Sequence, residues 1–196
     1  MTKGQRTRQY IIEQTAPLFN CKGFVGTSLT DLTDKTRLTK GALYGNFENK
    51  EEIALEAFQY AMRKVRESVQ SKLNEANTFK GQLLKMLEFY SDYVFNPPVP
   101  GGCPLLNSAV ETDDVHTGLR PVVVKEILQT VNFIDALLKK GVGAGEFKPK
   151  IHTKEIAYTF FCMIEGAVMF SRVERSREPM DIIVKHCKIL LDQISK

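Results

Sequence analysis

Apolar positions recur along this chain at spacings of three and four, the period of a helix that buries one face, and no stretch alternates with the period of a strand. Ile12, Ala16 and Phe19 form the first stripe, on a helix predicted over about residues 7–21, with Gly23 as its stop. Residues 1–6 read as a mobile basic arm. Ser28 then stands as an N-cap with Asp31 three residues on, the acidic form of a capping box, and Leu29 and Leu32 line a helix to about Lys35. Thr36-Arg37-Leu38 makes a turn, Thr39 caps a very short helix from Lys40 to Tyr44, and Gly45 ends it. Phe24, Leu29, Leu32, Leu38, Leu43 and Phe47 complete a small three-helix core, which makes Phe47 a core residue.

A longer helix follows over about residues 50–73, with Ile53, Ala57 and Tyr60 (or Ala61) facing inward. Its second half is polar on most sides, as suits a connector. Residues 79–95 carry Leu83, Leu84, Leu87, Tyr90 and Val94 at helical spacing, and the segment N-P-P-V-P-G-G-C-P after them is the strongest loop signal in the chain. Pro104 suits the first turn of a helix to about Thr112. Val123, Ile127, Val131, Ile134 and Leu138 define the next, over about residues 119–140, which G-V-G-A-G is expected to break. A helix over about residues 153–173 is apolar almost all round between Ile156 and Phe170, so it should touch structure on several sides. The last helix, about residues 180–194, shows Ile183, Cys187, Leu190 and Ile194 at 4-3-4 spacing. With no repeat and no low-complexity run, this is an all-α chain of about nine helices.

Charge sharpens that outline. Residues 1–50 hold 8 of the 27 Lys and Arg but only 4 of the 23 Asp and Glu, so the whole formal charge of +4 sits in the first quarter. Such asymmetry fits an electrostatic footprint for a polyanion joined to a neutral remainder. Cys21, Cys103, Cys162 and Cys187 are scattered without a C-x-x-C pair, which argues for a reducing cytoplasm. The basic N-terminus is not followed by an apolar leader, and the longest charge-free apolar run, Ile156 to Ile164, reaches about half a membrane span. A soluble cytoplasmic protein without a membrane partner is expected.

The very short helix carries a lysine, two residues with almost no side chain and a tyrosine behind a threonine cap, which lets its backbone approach something large and anionic. A helix-turn-helix needs this of its second helix, which lies in the major groove of DNA. Asn49-Lys50-Glu51-Glu52 then opens the next helix with a lysine and free N–H groups in its first turn. The stretch T-S-L-x-D-L-x-x-x-T-R-L-T-K-G-A-L-Y-x-N-F-x-N-K-E-E resembles the DNA-binding signature of the TetR/AcrR family of bacterial repressors. The resemblance covers about residues 24–56 and reaches back through the first helix. It implies a helix-turn-helix domain over residues 1–50, continuing into the fourth helix to about 73, and an effector-binding and dimerisation domain over 74–196. It also implies a homodimeric transcriptional regulator, usually a repressor, that leaves a palindromic operator when a small molecule binds. Thr39, Lys40, Gly41, Tyr44 and Asn46 are then the expected groove and nearby phosphate contacts, with Thr27, Ser28 and Lys50 holding the DNA backbone. Arg37 stands where the turn usually has glycine, and Gly45 and Asn46 stand where bulky or basic aromatic residues are common.

Other chemistry is thinly represented. His116, His152 and His186 lie in separate segments with no metal-ligand spacing, and G-V-G-A-G lacks the lysine and strand of a phosphate loop, so neither an enzyme nor a cofactor or metal site is expected. G-G-C-P-L-L-N resembles a segment found at the mouth of the effector cavity in a subset of the same family, which draws in Cys103, Leu106, Asn107 and Val110. Phe89, Tyr90, Tyr93, Phe95, Phe133, Phe160 and Phe161 come from three helices expected to face one another and are mostly expected in the core. Phe89, Tyr90, Tyr93, Phe133 and Phe161, with Asn107 and Glu165 as polar anchors, are candidate lining for a largely apolar effector. Glu165 is equally readable as a carboxylate hydrogen-bonded at a subunit interface, and Cys103 as a small packed residue. The last two helices are the expected homodimer interface, with Ala167 inside it. The competing reading is a ligand-carrying or enzymatic helical protein whose basic end binds polyanions weakly.

Overall fold

The computed structural model describes residues 1–114 and 117–196, so His116 lies outside the described residues. The order is α1 (Lys3–Gly26), α2 (Leu29–Thr36), α3 (Lys40–Tyr44), α4 (Lys50–Leu73), α5 (Phe79–Tyr93), α6 (Pro104–Asp114), a 3-10 turn (Thr117–Leu119), α7 (Arg120–Gly143), α8 (Thr153–Glu174) and α9 (Glu178–Ile194). Among the described residues the β content is one isolated antiparallel bridge, Phe147 with Ser195. Among the described residues the all-α architecture of about nine helices stands.

The arm expected over residues 1–6 is helical from Lys3 onward instead. Thr2 and Gln5 form a reciprocal capping box that starts α1 at Lys3, with Gln5 N–H donating to Thr2 Oγ1 at 3.2 Å and Thr2 N–H to Gln5 Oε1 at 2.8 Å. Gly23 interrupts α1 as expected, at φ 72° and ψ 175°, and a last turn runs on to Gly26.

The chain divides into two compact units, Met1–Val65 with Pro98–Val124, and Arg66–Pro97 with Lys125–Lys196. The first has its core in Ile11, Ile12, Leu32, Leu43, Phe47 and Ile53, with Leu18, Phe19, Leu29, Leu38 and Tyr60 packed against it. Of the six core residues all but Ile11 are positions that the sequence pattern picks out, on or beside α1, α2, α3 and α4, which is why those helices meet there. Within the same unit α6 packs on α1. Asn20 Nδ2 donates to the carbonyls of Pro100 at 2.9 Å and Gly102 at 3.0 Å, and Asn107 Nδ2 donates to the carbonyls of Asn20 and Gly101, both at 2.9 Å. Gly101 (φ 112°) lies so close to Asn20 that a Cβ there would come within 2.8 Å of its backbone. The Pro/Gly segment is therefore a pinned loop. Further along α6, Glu111 accepts the N–H of Phe24 at 2.6 Å and of Val25 at 2.8 Å, the two donors that the break at Gly23 releases.

In the second unit α5, α8 and α9 pack together around Leu83, Leu87, Tyr93, Phe160, Val168, Met180 and Leu191. Glu146 caps α5 by accepting the N–H of Phe79 at 3.1 Å and of Lys80 at 2.8 Å. The glycine run does not break α7 at its start. Gly141 stays helical because Phe147 packs across it, where a Cβ would meet the ring at 2.3 Å. Gly145, at φ 78°, makes the turn instead. The stripe expected on α9 is rotated: the buried positions are Met180, Val184, Cys187 and Leu191, which leaves Ile182 and Ile189 exposed. Similarly, α8 buries Ala157, Phe160, Ile164, Ala167, Val168 and Ser171 and exposes Tyr158, Met169, Phe170 and Val173. Ala167 is thus interior to the chain, a correction to its expected place in an interface. By length and composition α8 could cross a membrane, and 33% of its most apolar window is buried inside the chain.

Candidate nucleic-acid interface

Two short helices and the turn between them carry the expected contacts. At the start of α2, Ser28 Oγ accepts from Asp31 N–H at 3.1 Å while Asp31 Oδ2 accepts from Ser28 N–H at 2.8 Å, the capping box read from the sequence. Asp31 also pairs with Lys22 at 2.5 Å. The lysine first, and then the Ser28 N–H, hold the Asp31 carboxyl well below the usual carboxylate range. Arg37 ends α2 in the left-handed region, at φ 57° and ψ 26°, which is the conformation that makes glycine common there. Thr39 caps α3 by accepting from Ala42 N–H at 3.2 Å.

On α3 the single buried side chain is Leu43, which seats the helix on the core. Thr39, Lys40, Gly41 and Tyr44 are exposed, and Lys40 Nζ lies 6.0 Å from the Tyr44 ring centre. Ser28 is exposed as well. The remaining expected contacts are differently placed. Thr27 is fully buried, its hydroxyl donating to the Gly23 carbonyl at 2.6 Å. Asn46 is half-buried and turns its amide back to the Ala42 carbonyl at 2.8 Å. Lys50, in the first turn of α4, is half-buried with its ammonium 4.2 Å above the Phe24 ring. Asn49 caps α4, accepting from Glu52 N–H at 2.8 Å.

Sequence reasoning missed Arg8. From α1 it donates to the Asn46 carbonyl and to the carboxylates of Glu52 and Glu56, and its guanidinium lies 4.1 Å from the Phe47 ring centre. Arg8 raises no signal in the sequence, because its partners stand 38 to 48 residues away. Its charge, followed by the Glu48 N–H, holds the Glu52 carboxyl below its ordinary range.

The candidate ligand residues fall into both units. In the second, Phe89, Tyr90 and Tyr93 of α5 cluster with ring centres 5.1 to 5.6 Å apart, Tyr93 fully buried. Phe161 and Glu165 are half-buried on α8, and Phe133 on α7 is exposed. In the first unit Cys103 is buried and its Sγ accepts from Leu106 N–H at 3.5 Å, as the cap of α6. Leu106 is half-buried, Asn107 is engaged with Asn20 and Gly101, and Val110 is 75% exposed. A cavity of about 30 Å³ in that unit lies between Ala16, Phe19, Phe58 and Glu111, room for a water rather than an effector. Among the described residues no group of three or more His, Cys, Asp or Glu is arranged for a metal.

Residues 11–57 match the family model for bacterial regulatory proteins of the tetR family, and residues 80–187 match that of a tetracyclin repressor-like C-terminal domain. The structure is similar to that of a TetR-family transcriptional regulator from Cytophaga hutchinsonii, with a TM-score of 0.92 and 41% identity, covering 100% of this chain and 98% of that one. It is also similar to a TetR transcriptional regulator from Chloroflexus aurantiacus J-10-FL, with a TM-score of 0.94, 35% identity and the same coverage of 100% and 98%. Among curated proteins, the HTH-type transcriptional repressor DhaR from Mycobacterium sp. (strain GP1) is 23% identical over 174 residues, 89% of this chain and 86% of the relative.

Proposed function

This chain belongs to the TetR family of bacterial transcriptional regulators, and on that premise we propose that it is a cytoplasmic repressor which a small-molecule effector releases from a palindromic operator. Its function is DNA-binding transcriptional regulation, and the relatives it matches are named as regulators rather than as enzymes. One observation carries the assignment of the reading surface: Leu43 is the one α3 side chain buried in the core, and Thr39, Lys40, Gly41 and Tyr44 are exposed on and beside that short helix. Those residues enter the major groove in this reading, with Ser28 and Lys50 on the flanking phosphates. Thr27 supports the start of α2 from inside, and Asn46 shapes the end of α3.

A homodimer through α8 and α9 presents two such surfaces to half-sites about 34–36 Å apart. The effector, largely apolar, binds among the aromatic residues of the second unit and favours the arrangement that does not fit DNA. A coupling of about 1–3 kcal/mol lowers operator affinity roughly 5–150-fold. The test begins with a duplex selected by the protein from a randomised pool, footprinted to show one protected palindrome. Lys40→Ala then weakens binding to it and lowers the slope of log affinity against log salt by about 1. Tyr44→Ala loses affinity with the fold intact. If both variants bind that duplex as wild type across the salt titration, α3 is not the reader.

A further inference from the structure

The contacts of Arg8 converge on the segment that joins α3 to α4. Its Nη1 donates to the carbonyl of Asn46, its Nη2 to Glu52 and Glu56, and its Nε to Glu56 Oε2 at 3.3 Å, while the guanidinium plane lies over Phe47. Glu52 in turn accepts the N–H of Glu48 at 2.6 Å. Three successive residues, 46, 47 and 48, therefore touch either Arg8 or the carboxylate it holds.

The placement matters because α3 has only 5 residues. A helix so short has almost no stability of its own, so its direction is set by whatever fixes its two ends. Thr39 and the turn fix the first end. Just past the other end, beyond Gly45, the Asn46 carbonyl accepts from the Arg8 guanidinium, so a cation is bound to the backbone that leaves α3. The guanidinium makes four such bonds from three nitrogens spread over one plane, whereas an ammonium has three donors on a single nitrogen.

We propose that Arg8 is a positioning residue for DNA reading: it holds the end of α3 in the pose that distinguishes one duplex sequence from another, without touching DNA. The proposal rests on the reading that α3 enters the groove. A direct phosphate contact is disfavoured by charge, since Arg8 with Glu52 and Glu56 forms a cluster of net −1 that a phosphate would have to disrupt.

The test uses the full-length protein, a duplex selected by the wild type from a randomised pool, and a scrambled duplex of equal length. Affinities are measured across salt, at a temperature where circular dichroism shows each variant fully folded. Arg8→Gln should lower the ratio of selected to scrambled affinity about 5- to 100-fold, the scale of one misread base pair, with the salt slope unchanged. Glu56→Gln is the sharper variant, because removing an acidic charge favours DNA on electrostatics alone, whereas loss of positioning lowers the ratio. Arg8→Lys should not restore it. Equal weakening on both duplexes with a slope reduced by about 1 would make Arg8 a phosphate ligand and overturn the proposal. So would a ratio unchanged in Glu56→Gln, which together with Arg8→Lys carries the test if Arg8→Gln does not fold. Lys40→Ala is measured beside them. If it weakens binding while the Arg8 and Glu56 variants keep the wild-type ratio, positioning alone fails; if it too has no effect, the reading of α3 fails.

Discussion

Arg37 shows what a single residue contributes to this fold. It closes α2 at φ 57°, where a side chain crowds its own backbone at a cost of about 1–2 kcal/mol and glycine does not. Glycine loses more freedom on folding, which offsets about half of that. Arg37→Gly should therefore stabilise the protein by about 0.5–1 kcal/mol, read as a higher urea midpoint with an unchanged slope. A lower midpoint would mean that the arginine side chain holds something the backbone angles do not show. The sequence already marked this position, because the turn pattern around it was legible from Thr36, Leu38 and Thr39. Thr27 and Asn107 were not legible in the same way. Thr27 is expected on the DNA backbone and Asn107 at the mouth of an effector cavity, and both turn inward because their partners, the Gly23 carbonyl for one and Asn20 and Gly101 for the other, are supplied by the folded backbone. Polar residues of this kind are decided by tertiary contacts that no local spacing encodes.

At the scale of elements, local rules reached far. The starts of α2, α3, α5 and α8 fall where the sequence placed them, and α4 matches at both ends, since caps and stripes are local. The start of α1 was missed although its Thr2–Gln5 capping box is local, whereas the end of α7 depends on Phe147 closing over Gly141. Electrostatics at element ends gives a prediction in pH. Asp31, Glu52, Glu75 and Glu88 all have folded pKa values below their unfolded ones, for the reason that Lys22, Arg8 or Lys85 stands against each. A depressed carboxyl stabilises the fold above its unfolded pKa and loses that contribution as pH falls through the folded value. The melting temperature should stay level down to about pH 4.5 and fall below it, because the unfolded values are 4.5 for glutamate and 3.8 for aspartate. Asp31→Asn, which keeps a capping oxygen but not the charge, should melt lower at neutral pH and lose less below pH 3.8. Parallel curves for variant and wild type would show that the Lys22 pair contributes nothing.

The whole molecule carries apolar surface that one copy leaves uncovered. Met169, Phe170 and Val173 on α8 and Ile182 and Ile189 on α9 are 43–80% exposed. If these faces pair two copies, light scattering at micromolar concentration gives twice the chain mass, and Phe170→Glu gives the mass of one. Cysteines report the same event. Cys21 and Cys162 are exposed in one copy, whereas Cys103 and Cys187 are buried and burial pushes the Cys187 thiol up to about 11. At mildly alkaline pH iodoacetamide should then alkylate Cys21 alone in the dimer, and Cys162 as well in Phe170→Glu. Rapid reaction of Cys162 in wild type at high concentration would place the interface elsewhere. The all-round apolarity of α8 was legible in the sequence; which positions stay uncovered was not, because Ala167 and Phe170 differ only in where α9 comes to lie. A last consequence concerns how such regulators can be recombined. Asn20 and the released N–H groups of Phe24 and Val25 are satisfied by a loop and a helix 80 to 87 residues further along the chain. The reading unit is thus interrupted in sequence, and a hybrid that transplants only the first 65 residues leaves those donors and the Asn20 amide facing a stranger's α6. A portable cassette consists of two pieces, Met1–Val65 and Pro98–Val124, exchanged together.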